Sequence, residues 1–155
     1  MLKILLIALA ILTLLVAAFF GRIYWQNAQV PTLGHTQGQL TPLSSKPNGV
    51  STQTSDPAKQ VEPWPFIGDQ TTSMQAVMAA VQGYGEVEVV TQDTDYLRVV
   101  FITPLMRYRD DAEFYLDAES EQIHFRSASR AGHSDMGLNR ERHQALTQLY
   151  LAQQN

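Results

Sequence analysis

The chain has 155 residues, 45% of them hydrophobic, and a formal charge of −4, which suits one domain with accessory segments. The acidic balance argues against nucleic acid as a partner, because a phosphate backbone selects basic surfaces. Cysteine is absent, which excludes disulfides, thiolate metal ligands, a cysteine nucleophile and a lipidated N-terminal cysteine.

Residues 4–20 form an apolar run in which Thr13 is the one polar side chain. Its length lies at the short end of the roughly 17–25 residues that a membrane-spanning helix requires. Gly21 and Arg22 close it, and Tyr24 and Trp25 follow where interfacial aromatics belong. The rival reading is a signal peptide cut after Ala18. No polar segment separates that point from the apolar run, however, and two phenylalanines follow it. Residues 1–22 are therefore read as an uncleaved anchor in the inner (cytoplasmic) membrane. After Arg22 no Lys or Arg occurs until Lys46, so the positive-inside rule places the C-terminal part in the periplasm or outside the cell.

Residues 23–62 change to Gln, Thr, Ser, Pro and Gly with few large apolar side chains, the composition of a flexible tether. Within it, Pro47-Asn48-Gly49 signals a turn. Val50 and small polar residues follow, suited either to an extended strand edge or to an ordinary linker. The domain is assigned to residues 63–155, opening on Trp64 and Phe66, two aromatics flanked by prolines. A helix follows: Thr72 and Gln75 have capping-box spacing, Met74, Val77, Met78 and Val81 share a face, and Gly83 and Gly85 end it.

Residues 86–91 read as a short strand, and 96–103 as a central strand largely apolar on both faces, with Tyr96 and Arg98 on one of them, interrupted by Pro104. The next strand, about 106–117, contains Asp110-Asp111, where a bend or bulge is expected. A turn at 118–121 returns the chain into residues 123–127. Setting Asp117 opposite Gln122 brings Leu116 to Ile123 and Phe114 to Phe125 on one face, and Glu113 to Arg126 and Tyr115 to His124 on the other. That register predicts a Glu113–Arg126 contact. A last helix carries Leu138, Arg142, Ala145, Leu146 and Leu149 on one face, with Ser134 or Asp135 as its cap and His143 on the solvated side. The resulting class is α+β: an antiparallel sheet of about four strands with two amphipathic helices on one face, after one N-terminal transmembrane helix.

Between the last strand and the last helix runs RSASRAGHSDMGLNR, residues 126–140. Arginine offers five donors in a fixed fork, and Asp, Ser and Asn supply acceptors, so this crossing can wire itself into a network. HFRSASRAGHSDMGLNRER (124–142) resembles the signature of a widespread bacterial and plastid family, domain of unknown function 1499. SSKPNGVSTQ (44–53) and YRDDAEFYLD (108–117) resemble two further segments of that family, with Gly49 standing where the family usually has cysteine. The resemblance implies an exported or membrane-associated domain. It implies no particular reaction.

Six of the eight arginines lie between Arg107 and Arg142, together with eight acidic residues. One reading is an anion site in which Arg126, Arg130 and Arg140 face a phosphate, carboxylate or sulfate, with Ser127, Ser129, Ser134, Asp135 and Asn139 adding hydrogen bonds and Asp110, Asp111 and Glu113 in support. The other is that these arginines are matched by neighbouring carboxylates and only lock the fold. A hydrolase or transferase using Asp110, Glu113 and His133 is the catalytic alternative. No Gly-x-Ser-x-Gly elbow occurs, and no two of the four histidines have i, i+4 spacing, so neither metal nor cofactor is expected. The leading expectation is a membrane-anchored, non-catalytic module that binds an anionic small molecule or an envelope protein.

Overall fold

The apolar run folds as α1 (Leu2–Ala28) in a computed structural model that describes residues 1–154. Gly21 does not end this helix; it continues for two more turns, and Ile23 and Asn27 are buried against the domain. At 1.5 Å per residue its length is about 40 Å. The chain then forms a small hairpin, β1 (His35–Thr36) with β2 (Gln39–Leu40), followed by β3 (Gly49–Ser51) and β4 (Trp64–Pro65). After α2 (Gln70–Tyr84) come β5 (Val87–Gln92), β6 (Tyr96–Ile102), β7 (Arg109–Asp117) and β8 (Gln122–Ser129), and then α3 (Leu138–Leu151).

Among the described residues the class is α+β, with three α-helices, the first of them the expected N-terminal apolar one, and a six-stranded sheet rather than one of about four strands. Strands β5 to β8 form an antiparallel meander. Its outer edge at β8 is covered by two short strands, β3 on residues 126–128 and β4 on residues 122–123. Those edge strands are the difference in count. They come from Pro/Ser/Gly-rich sequence and join the sheet through backbone hydrogen bonds, which side-chain periodicity does not report. Residues 32–43 lie across the sheet face opposite the helices, where His35 stacks on Tyr115 with ring centroids 4.2 Å apart.

Alternation along β7 and β8 gives the expected hairpin register, Leu116 to Ile123, Phe114 to Phe125 and Glu113 to Arg126. The apolar set meets α2 and α3, burying Val77, Val81, Leu97, Val99, Phe114, Phe125, Leu146 and Tyr150. No bulge forms at Asp110-Asp111; both residues stay in register with β6 and β8. Each carboxylate meets an arginine on its own face, so the regular strand is retained; the bulge lies instead between Val89 and Thr91. The start of α2 also differs. Asp69 is the N-cap, accepting from Thr72 N at 2.7 Å, so the Thr72–Gln75 box is not used.

His143 is not on the solvated side of α3. It is buried, its ring 4.9 Å from Phe125 and 5.7 Å from Trp64, with Nε2 donating to the Glu62 carbonyl at 3.1 Å. Burial holds this histidine neutral down to about 4, from an ordinary 6.5. The unfolded chain takes up that proton first, so the contribution is whole above pH 6.5 and is lost as pH falls towards 4. Glu113, raised by burial, acts with the opposite sign. Comparing wild type with His143→Phe in urea melts at pH 7 and pH 4 isolates the histidine. The difference between the two should change by roughly 3 kcal/mol in favour of the variant at the lower pH.

Gly49 marks the closest approach of β3 to β8. A Cβ there would meet the Ser127 carbonyl oxygen at 2.6 Å and Ala128 Cβ at 2.7 Å. Gly49→Cys should therefore force the strands apart and lower stability by about 1–3 kcal/mol. Adding Ala128→Gly, which removes one of the two obstacles, should recover part of the loss in the same urea melt.

Candidate functional site

Because side chains alternate across a strand, the Arg/Ser/Asp-rich stretch divides between the two faces of the sheet. On the helix face lie Asp110, Ser127, Asn139 and Arg142, all buried. Arg142 donates to Asp110 Oδ2 at 2.7 Å and to Asn139 Oδ1 at 2.6 Å, and its guanidinium carbon sits 4.6 Å from the Phe101 ring centroid. The Asn139 amide donates to the Asn48 carbonyl, Ser129 Oγ and Asp135 Oδ2, while Ser127 Oγ donates to Asn139 Oδ1. Asp135 also accepts from the Gly137 and Asn139 amides, holding the entry to α3 although Gly137, in the left-handed region, is its N-terminal boundary. Here one buried guanidinium meets one buried carboxylate, Asp110.

On the opposite face a cluster around Asp111 and Glu113 holds more guanidinium groups than carboxylates. Asp111 accepts from both Arg98 (Nε 3.1 Å, Nη2 2.6 Å) and Arg130 (Nε 2.6 Å, Nη2 3.0 Å). Glu113 accepts from Arg126 Nη1 at 3.0 Å, the predicted contact, and from the Tyr96 hydroxyl at 2.7 Å. Burial raises the Glu113 carboxyl, opposed by Arg126 beside it, and burial also raises the Tyr96 phenol. Hydrogen bonding to Asp111 raises Arg130 further above its usual range. Three guanidinium groups thus share two carboxylates. The Arg126 side chain is 9% exposed, and its Nε has no hydrogen-bond partner among the described residues.

Arg126 and Arg130, with Lys46 and Asn48, line a recess of about 300 Å³ between residues 29–31 and β8. The remaining residues of the crossing serve elsewhere. Arg140 donates at 2.8 Å to the carbonyls of Gln60 and Ala58, clamping that segment to α3, and Ser134 Oγ accepts from Met136 N at 3.1 Å. Asp110 and Glu113 extend from opposite faces of β7, and His133 is exposed in the loop, so the three groups of the catalytic alternative do not converge. Sequence reading assigned Arg98 and Tyr96 no partner, although an arginine inside an otherwise apolar central strand signals a partner on the same face. Asn48 and Lys46 gave no such signal; their place follows from the pairing of β3 with β8.

Over residues 39–149 the chain matches a family model described as Protein of unknown function (DUF1499). No curated protein and no solved structure matches it.

Proposed function

This chain belongs to the DUF1499 family, and for it we propose a non-catalytic binding module, held at the inner membrane by α1 and facing the periplasm or the cell exterior, that takes a small anion. The observation that carries this reading is a recess lined by Lys46, Arg126 and Arg130 against one carboxylate, Asp111, whose oxygens are already taken by Arg98 and Arg130. Guanidinium groups that share too few carboxylates gain most from an added carboxylate, phosphate or sulfate oxygen. Lys46 and Arg130 on the same recess add attraction, and Asn48 adds a polar side chain. The 27-residue helix α1, with mean hydropathy 2.9 over its most apolar window, supports the anchor; the lysine and arginine distribution supports the orientation.

The test is thermal unfolding of the full chain in neutral micelles against inorganic phosphate, sulfate and citrate. An anion present at about 100 times its Kd should add about 2.7 kcal/mol of stability, read as a rise in Tm. Arg126→Gln should abolish the rise, whereas Arg140→Gln, on the other side of the sheet, should keep it. If no anion raises Tm, or if Arg126→Gln responds as wild type does, the arginines of this stretch serve the fold alone.

A further inference from the structure

The geometry where α1 enters the domain points to a second site, and we propose that it takes the headgroup phosphate of an anionic phospholipid. This inference rests on the membrane-anchor part of the reading above; its recess shares Val30 and Arg130 with the Arg126 recess but does not include Arg126. α1 is locked to the domain at its C-terminal end. Asn27 Nδ2 donates to the Arg107 carbonyl at 3.2 Å, Asn27 Oδ1 accepts from Arg109 N at 3.1 Å, and the Asn27 carbonyl accepts from Arg130 Nη1 at 3.3 Å. Gly132 N donates to Gln26 Oε1 at 3.3 Å. With the helix continuous through this joint, depth along α1 fixes the height of the adjoining domain surface above the bilayer core.

The apolar run stops at Phe20. Tyr24 and Asn27 stand about 6 and 10 Å further along the axis, at and just above a headgroup layer about 5–8 Å thick. A recess of about 620 Å³ opens at that height. Tyr24, Val30, Val90 and Ile102 give it apolar walls, and Arg107, Arg109 and Arg130 outnumber its one carboxylate, Glu88. Arg109 is engaged by Glu88 at 2.8 Å and Arg130 by Asp111, but the Arg107 side chain has no partner among the described residues. Its backbone lies in the left-handed region at φ 54°, an uncommon conformation for a residue with a side chain. Two positions earlier, Leu105 is 90% exposed at the tip of the same loop, and Trp25 is 65% exposed on α1. An unpaired guanidinium beside apolar walls that include the interfacial Tyr24, with an exposed leucine in the same loop, matches a phosphodiester with its glycerol and upper acyl chain.

The experiment is native mass spectrometry of the full chain in maltoside micelles supplied with phosphatidylglycerol, phosphatidylcholine or inorganic phosphate. Phosphatidylglycerol should be retained about five-fold over phosphatidylcholine, the effect of one cation near an anionic headgroup. Inorganic phosphate should not displace it, because the apolar walls hold the lipid portion. Arg107→Gln should bring retention down to the phosphatidylcholine level, and Arg140→Gln, on the helix side of the sheet and outside this recess, should leave it unchanged. Equal retention of the two lipids, or retention unaffected by Arg107→Gln, overturns the proposal. Alkaline carbonate treatment of membranes separates the two levels. A chain that washes off loses both the anchor and this site, whereas a chain that stays but shows no lipid preference loses the site only.

Discussion

Replacing Arg142 with methionine should lower the stability of the domain by about 3–5 kcal/mol, the largest single effect expected on its polar network. Asp110 is fully buried, its Oδ2 is held by Arg142 at 2.7 Å, and its Oδ1 already has no partner among the described residues. Methionine fills much of the volume but leaves that carboxylate in a low-dielectric layer between the sheet and α3 without a countercharge. The Asn139 carbonyl oxygen and the Phe101 ring face lose their cation in the same step. Urea unfolding of the full chain in micelles, followed by fluorescence of the buried Trp64, measures the loss. Adding Asp110→Asn removes the stranded charge and should recover most of it. If the single variant unfolds at the wild-type midpoint, the pair contributes nothing, and the helix-face network is not what holds the crossing.

Asn139→Ala should cost about 2–4 kcal/mol, because it strands several buried groups at once. The side-chain amide and carbonyl of Asn139 link the hydroxyls of Ser127 and Ser129, the Asn48 carbonyl, Asp135 and Arg142. They thereby join β3, β8, the start of α3 and the crossing between strand and helix. Truncation deletes the hub and leaves its neighbours without water to replace it. Limited proteolysis gives a second readout. Residues 130–137 should become cleavable under native conditions in the variant while β7 and β8 remain resistant. A variant that loses stability without new cleavage there would mean that the loop is shaped by Asp135 and its amide bonds rather than by Asn139.

The β7–β8 hairpin was legible because a period of two, combined with one buried face, leaves one register that buries Leu116, Phe114, Ile123 and Phe125 together. That same register carried the Glu113–Arg126 contact, observed at 3.0 Å. The helices were legible from their apolar spacing, though the Asp69 cap was not, since Thr72 and Gln75 offered a competing signal one turn later. His143 reads as solvated because it lies off the stripe of Leu138, Arg142, Ala145, Leu146 and Leu149 and beside Gln144; the aromatic slot formed by Trp64 and Phe125 is assembled from three distant segments.

The sharpest limit concerns the arginines and acids of residues 107–142. Sequence proximity made them one cluster, yet Asp110 and Asp111 belong to separate networks on separate faces. Strand parity alone implies that division, but parity does not say which arginine reaches which carboxylate. Arg98 and Asp111 are diagonal neighbours, and Arg142 arrives from a helix. Period and residue type thus dictated the helices, the central hairpin and the apolar segment at the start, because each is a local property repeated along the chain. The placement of residues 32–43 over the open face, the pairing of β3 with β8, the joint at Asn27 and the surplus of cations beside Arg126 were settled by packing. They depend on backbone hydrogen bonds and on charges brought together from far apart in the chain, and such contacts leave no periodic trace in composition.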